Sequence, residues 1–279
     1  MTLGRAFLLP IIFGVVVGAQ SPSDSALQSI HADSIRADMR FLADDLLEGR
    51  GTGSRGYELA AKYVASRFES MGLAPAGDDD SYFQAVSLTR ASLVERQTSL
   101  VLVSSQRRRT LSFARDFLTF ASVAHDHVRV MSDVVFLGYG ITAPERTYDD
   151  YGALNVRGKI VAVLPGTPPS FSGDARAYYG ALAVKQENAL LHGAVGILHL
   201  NPTDDPLWEL WIRFIRSGSV DWRRDARGPD GVAMLSAAAS AALFNGTRMS
   251  LPDIVEARSV PSVSRAIEST IADHHAARA

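Results

Sequence analysis

Residues 41–73 read FLADDLLEGRGTGSRGYELAAKYVASRFESMGL, and the meaning of the glycines in this stretch decides how the N-terminal part folds. Gly51, Gly53 and Gly56 satisfy G-x-G-x-x-G. A dinucleotide loop, however, needs a buried strand before the glycines, so that a helix N-terminus meets the pyrophosphate. Here Asp44, Asp45 and Glu48 interrupt any apolar run, while Ile35, Met39, Leu42 and Leu46 recur at 0, 4, 7 and 11, the spacing of one helical face. The pattern predicts helix, glycine turn, helix. In the second helix Tyr57, Ala60, Ala61, Val64, Phe68 and Met71 form one apolar stripe, expected to pack in a core, with Glu58, Lys62, Arg67 and Glu69 on the solvated side. Ser54 is placed to cap its start. Gly72 is placed to end it in the left-handed conformation, with Leu73 folding back on the last turn.

The chain has 279 residues, 47% hydrophobic and 21% charged, enough for one large or two small cores. A formal charge of −2 provides no basic field to gather phosphates, which argues against a nucleic-acid partner. The one basic run, Arg107 to Arg109, reads as a solvated hairpin turn. At the N-terminus Arg5 precedes an apolar run over residues 6–17, broken by Pro10, and Val17-Gly18-Ala19 offers small residues before Gln20. Residues 1–19 are therefore expected to be a signal peptide cleaved after Ala19, making the chain secreted or periplasmic. The run is short for a membrane span, with an uncleaved anchor as the alternative. Zero cysteines exclude disulfides, thiolate zinc sites and thiol nucleophiles.

Residues 24–72 are helical by pattern, residues 74–81 form a turn-rich loop, and residues 82–88 alternate toward a strand. From Thr98 onward β-rich segments dominate: LVLVSS, LSFARDFLTFA, VRVMSDVVFLGYGI and GKIVAVLPG. A helix is expected over 175–191, ending at Gly193. Residues 194–200 and 231–235 read as strands, the second followed by an alanine-rich helix to Phe244. The tail carries weak helical patterning at Val263, Ile267 and Ile271 and reads as a frayed end. The expected fold class is α+β, or sandwich-like, rather than a doubly wound sheet.

His125-Asp126-His127 is the compact cluster of metal-ligand residue types. A site needs at least one more ligand, and the spacing brings none of His192, His199, His274 or His275 to it; a polar turn between strands is the plainer reading. There is no G-x-S-x-G elbow, since Thr52 stands two before Ser54, and no P-loop. Asp45 and Glu48 suit capping or an ion pair with Arg50 or Arg55, rather than acid–base work. Asp149 and Asp150 read as turn residues. Residues 207–227 are the unusual surface candidate: Trp208, Trp211, Ile212 and Ile215 fall at 0, 3, 4 and 7, near Arg213, Arg216, Arg223, Arg224 and Arg227. The stripe reads either as core or as a docking face for a peptide or another domain.

The segment from Arg40 to Leu88, RFLADDLLEGRGTGSRGYELAAKYVASRFESMGLAPAGDDDSYFQAVSL, resembles the N-terminal part of secreted bacterial zinc aminopeptidases of metallopeptidase family 28, kin to glutamate carboxypeptidase and the transferrin receptor. VVFLGYGITAPERTYDDYGALNVRGKIVAVLPGTPP, followed by AVKQENALLHGAVGILHLNP, resembles the protease-associated domain inserted in those enzymes. The resemblance implies an N-terminal helical part of a peptidase scaffold over 24–92, a protease-associated domain over 98–257, and a truncated tail over 258–279. In that family two zinc ions are held by His, Asp and Glu that follow the inserted domain, with a further Glu as general base. His125-Asp126-His127 precedes the GYGI segment, and His274 and His275 lack the family's surrounding pattern, so no catalytic, cofactor or metal residue is carried over. Zinc is implied for the family and not for this chain, which is expected to be inactive alone. The alternative is a standalone secreted module whose Trp208, Trp211, Arg213 and Arg216 contact a peptide or a peptidase domain. A third reading is a metal-binding protein built on His125 and His127.

Overall fold

The computed structural model describes residues 27–104, 107–152, 154–222, 229–247, 250–256, 266–267 and 274–278. The expected signal segment and Arg223, Arg224 and Arg227 lie outside the described residues. The fold is α+β. It divides into two compact units, Met1–Gln84 and Ala85–Ala279.

In the first unit, helix α1 (Ala32–Leu42) leads through a 3-10 turn (Asp45–Arg50) into helix α2 (Arg55–Ser70). Each end follows from local chemistry. The Asp44 carboxylate accepts from the amide of Leu46 at 2.9 Å and opens the turn. Glu48, Gly49 and Arg50 then take positive φ values of 52°, 72° and 55°, which reverse the chain. Ser54 Oγ accepts from the amide of Tyr57 at 3.3 Å and caps α2. At the other end Gly72 has φ 72° and the amide of Leu73 donates to the carbonyl of Phe68 at 3.1 Å, the expected fold-back.

The glycines have backbone roles. Gly53 has φ 73°, and a Cβ on Gly56 would meet the Leu47 carbonyl. Two expectations need correction. The apolar stripe of α2 does not enter a core: Tyr57 is 50%, Phe68 41% and Met71 60% exposed, and only Gly56 and Ala60 of the helix are buried. The contacts of α2 fall mostly beside the stripe, with Tyr63 stacked on Phe41 at 4.2 Å and its Oη donating to Asp38 at 2.6 Å, and within the stripe Phe68 meets Tyr82 at 6.3 Å. Leu46 is 80% exposed because α1 ends at Leu42 and the turn brings Leu47 inward instead.

The second unit opens with irregular chain over residues 85–88, where a strand is expected, and then β1 (Thr89–Leu93). Strands β2 (Leu100–Val103) and β3 (Arg108–Leu111) form a hairpin, in which Arg108 and Arg109, expected in the turn, stand exposed in β3 opposite Val103 and Leu102. Next come β4 (Phe117–Leu118), β5 (His127–Val128), β6 (Val134–Phe136), the hairpin β7 (Thr142–Ala143) and β8 (Tyr148–Asp149), and β9 (Ile160–Val163). The helix expected over 175–191 is two, α3 (Gly173–Gly180) and α4 (Leu182–Leu191), separated by Ala181 in an extended conformation. After β10 (Gly196–His199) follow α5 (Trp208–Arg216), β11 (Ser219–Asp221), β12 (Gly231–Leu235), α6 (Ala237–Leu243) and α7 (Leu251–Glu256). The tail contributes short strands β13 (Ala266–Ile267) and β14 (His274–Arg278), where the sequence suggests weak helix.

A six-stranded sheet runs β13-β6-β9-β10-β12-β4, with β6, β9, β10 and β12 parallel and both edges antiparallel. Alternate residues of its centre enter two cores: Val134, Phe136, Ile160, Ala162 and Leu198 on one face, Val135, Val161, Val163 and Ile197 on the other. Burial of both faces is why IVAV and GIL are unbroken apolar runs, with His199 buried at the end of the second. A second sheet runs β11-β1-β14-β5. Among the described residues no helix is long and apolar enough to cross a membrane.

Candidate functional site

The carboxyl ends of β6 and β9 lead into two loops, residues 137–140 and 164–166. Gly138 and Gly140 have φ 64° and 65°, and a Cβ on Gly140 would stand 2.5 Å from Val163 Cγ1. The loop therefore presses on β9 at a point only glycine permits. Two buried charged side chains fix its path. Asp150, 5% exposed, accepts from the Ile141 amide at 3.0 Å and from Tyr148 Oη at 2.7 Å. Lys185 of α4 is fully buried and its Nζ donates to the carbonyls of Tyr139 (2.7 Å), Leu164 (2.9 Å) and Gly166 (2.8 Å). Beside this anchor lies a cleft of about 100 Å³ lined by Gly138, Tyr139, Leu164, Pro165, Pro202, Ile254 and Val255.

The electrostatics follow from burial. Burial pushes Lys185 down to about 7, and the Asp150 carboxylate pulls it partly back. Burial raises Asp150, opposed by its hydrogen bonds from Ile141 and Tyr148. His199, at the end of β10, is held neutral by burial and the nearby Lys185 charge, down to about 3, and its Nε2 lies 3.4 Å from Gln186 Nε2. A nucleophilic lysine needs a free lone pair facing a cavity. Each of the three ammonium protons of Lys185 instead meets a carbonyl, so the group is an anchor and not a reactive centre.

Sequence reasoning reads Asp150 as a turn residue, which it is, without its burial, and passes over Lys185. Lys185 and Ala189, four apart, are the buried residues of α4, so the lysine occupies its inward face.

The surface candidate on α5 divides. Trp208 and Trp211 are half-buried against a cluster containing Ile212, Ile215, Leu118 and Met234. Trp208 Nε1 donates to the carbonyl of Ala114 at 2.7 Å. Arg216 grips Glu95 through Nε at 2.8 Å and Nη2 at 3.1 Å, which lowers the Glu95 pKa. Arg213 stays exposed.

His127 lies in β5, exposed, and His125 Nδ1 is 3.9 Å from Asp230 Oδ1, beyond hydrogen-bond reach. Among the described residues no three His, Cys, Asp or Glu side chains converge on a metal-sized site. A catalytic zinc takes three protein ligands, so the described residues do not fit the zinc pair that the resemblance implies for the family. Glu48 lies 3.5 Å from Arg55, as an exposed ion pair. Asp149 accepts from Thr142 Oγ1 at 3.1 Å and from the Tyr151 amide at 2.9 Å, tying the β7–β8 hairpin.

No protein-family model matches the chain, and no curated protein does. Among solved structures, the chain is similar to an aminopeptidase from Aneurinibacillus sp. strain AM-1, with 16% identity and a TM-score of 0.39 over 90% of this chain and 46% of the other. It is also similar to BSAP, a zinc aminopeptidase from Bacillus subtilis, with 13% identity and a TM-score of 0.31 over 87% of this chain and 43% of the other. The chain spans less than half the length of either protein.

Proposed function

We propose that the chain comprises the N-terminal helices and the protease-associated domain of a secreted zinc aminopeptidase, and that it has no peptidase activity by itself. The observation that carries this reading is the exposed stripe of α2, where Tyr57, Phe68 and Met71 face solvent in a helix capped and patterned for packing. Such a face suits a helix built to lie on a further layer. The ordered resemblance of residues 40–88 and 134–202 to that family supports the same reading. The test is hydrolysis of leucyl p-nitroanilide by the purified, zinc-loaded chain. No release is expected, and measurable turnover dependent on zinc overturns the proposal.

A second reading, a standalone secreted module that binds a peptide or a peptidase domain through α5, is favoured by the exposed Arg213 beside a half-buried Trp211. Titration with peptides while following tryptophan fluorescence tests it, and a flat response removes it. Trp208 and Arg216 are committed to Ala114 and Glu95, which leaves this face fewer polar handles than the sequence suggests.

A further inference from the structure

The connection from α6 to α7 begins Asn245-Gly246-Thr247. Of the four asparagines in the chain, Asn245 alone precedes glycine, since Asn155, Asn188 and Asn201 precede Val156, Ala189 and Pro202. The difference is chemical. Closing a five-membered ring joins an asparagine side-chain carbonyl carbon to the amide nitrogen of the next residue, and a side chain on that residue obstructs the approach. Glycine presents no such obstacle, whereas proline has no amide proton to give up.

The structure leaves the reacting groups open. Phe244 is buried against Phe136 at 5.5 Å, and Leu251 and Ile254 beyond the connection are buried too, while Asn245 and Gly246 stand exposed between these anchors. Gly246 has φ 82°, and a Cβ on it would meet nothing within 4 Å. The amides on either side are engaged, Asn245 donating to the Ala242 carbonyl at 3.2 Å and Thr247 to the Phe244 carbonyl at 3.0 Å. Among the described residues, neither the Gly246 amide nor the Asn245 side chain has a hydrogen-bond partner. The other asparagines are more constrained: Asn155 Oδ1 accepts from the Arg157 amide at 3.2 Å, and the side-chain nitrogens of Asn188 and Asn201 are buried.

We propose that Asn245 is a site of spontaneous deamidation through a cyclic imide formed with Gly246. The Gly246 nitrogen gives up its proton and bonds to Asn245 Cγ, the Cγ–Nδ2 bond breaks, and Nδ2 leaves as ammonia. Water then opens the imide on one side or the other. Breaking the new bond at Cγ yields aspartate, and breaking the original main-chain bond yields isoaspartate, which routes the main chain through Cβ and Cγ. Either product sets a carboxylate at the C-terminal end of α6, where the helix dipole disfavours negative charge. Isoaspartate also adds a carbon to the main chain where Thr247 reaches back to Phe244 through its amide and, at 2.8 Å, its Oγ1. That turn leads into α7, whose Ile254 and Val255 line the cleft, so the modification acts on the support of one cleft wall.

The experiment is peptide mapping by mass spectrometry of the full chain after incubation in mildly alkaline and mildly acidic buffer. The peptide holding Asn245 is expected to gain about one mass unit, faster in the alkaline sample, and to accept methyl groups from an isoaspartyl methyltransferase, while the peptides holding Asn155, Asn188 and Asn201 do neither. Asn245→Gln, whose longer side chain requires a six-membered ring, is expected to lose the gain, with circular dichroism confirming that it folds. No gain at Asn245 in the time that a synthetic peptide of residues 242–247 deamidates overturns the proposal, because the fold then protects the dipeptide. A gain without isoaspartate overturns it as well, since direct hydrolysis yields aspartate alone. An equal gain at another asparagine, or one that persists in Asn245→Gln, has the same consequence.

Discussion

Gly56 approaches Leu47 so closely that a β-carbon on it would stand 1.7 Å from the Leu47 carbonyl oxygen. Because the obstacle is backbone, no rotamer change relieves it. Gly56→Ala is therefore expected to destabilise the turn and α2 by about 2 kcal/mol. Limited proteolysis should show faster cleavage between residues 44 and 56, with the pattern of the second unit unchanged. Equal protection in both proteins would refute the packing argument.

The Lys185 anchor makes a stability prediction. Lys185→Met keeps a flexible side chain of similar reach but leaves the carbonyls of Tyr139, Leu164 and Gly166 without their donor, at a cost of about 3 kcal/mol. Lys185→Arg is not expected to rescue it, since a planar guanidinium cannot reach three carbonyls arranged around one nitrogen. Urea unfolding followed by tryptophan fluorescence measures both.

His199 sets part of the acid limb of stability. In the unfolded chain an imidazole takes up a proton near its ordinary value of about 6.5, whereas in the folded chain His199 stays neutral down to about 3. Between those values the unfolded state binds the extra proton, so stability falls as the pH falls. The slope from this one group is about 1.4 kcal/mol per pH unit, and His199→Gln should flatten the curve by that amount between pH about 4.5 and about 6. Parallel curves for the two proteins would show that His199 is protonated in the folded state.

On α5, Trp208→Phe removes the bond from Nε1 to Ala114 and is expected to cost about 1 kcal/mol. Arg213→Ala, at an exposed position, is expected to change stability by less than about 0.5 kcal/mol. Thermal unfolding of the two variants separates the anchored residue from the free one.

These contrasts show where sequence reading succeeds and where it stops. The ends of α2 are legible because Ser54 and Gly72 act on amides and carbonyls within one turn of themselves. The α+β character is legible from periodicity. Parallel pairing of β9 with β10 is not, because IVAV and GILH are buried on both faces and lose the alternation that reveals a sheet's sides. The candidate residues on α5 divide for a similar reason. Spacing puts Trp208 and Trp211 on one face, but cannot say that Glu95, 121 residues before Arg216, arrives to bind it. Lys185 eluded the reading because its partners are main-chain oxygens, which every residue type carries.

The Lys185 ammonium donates to three main-chain carbonyls and lies 5.6 Å from the centre of the Tyr139 ring, while Pro165, Pro202, Ile254 and Val255 line the neighbouring cleft. A substitution at one of those four positions changes the lining of the cleft and leaves the contacts of Lys185 in place. Backbone path and surface character rest on different atoms here, so this corner of the fold can be given a new lining while its frame is left alone.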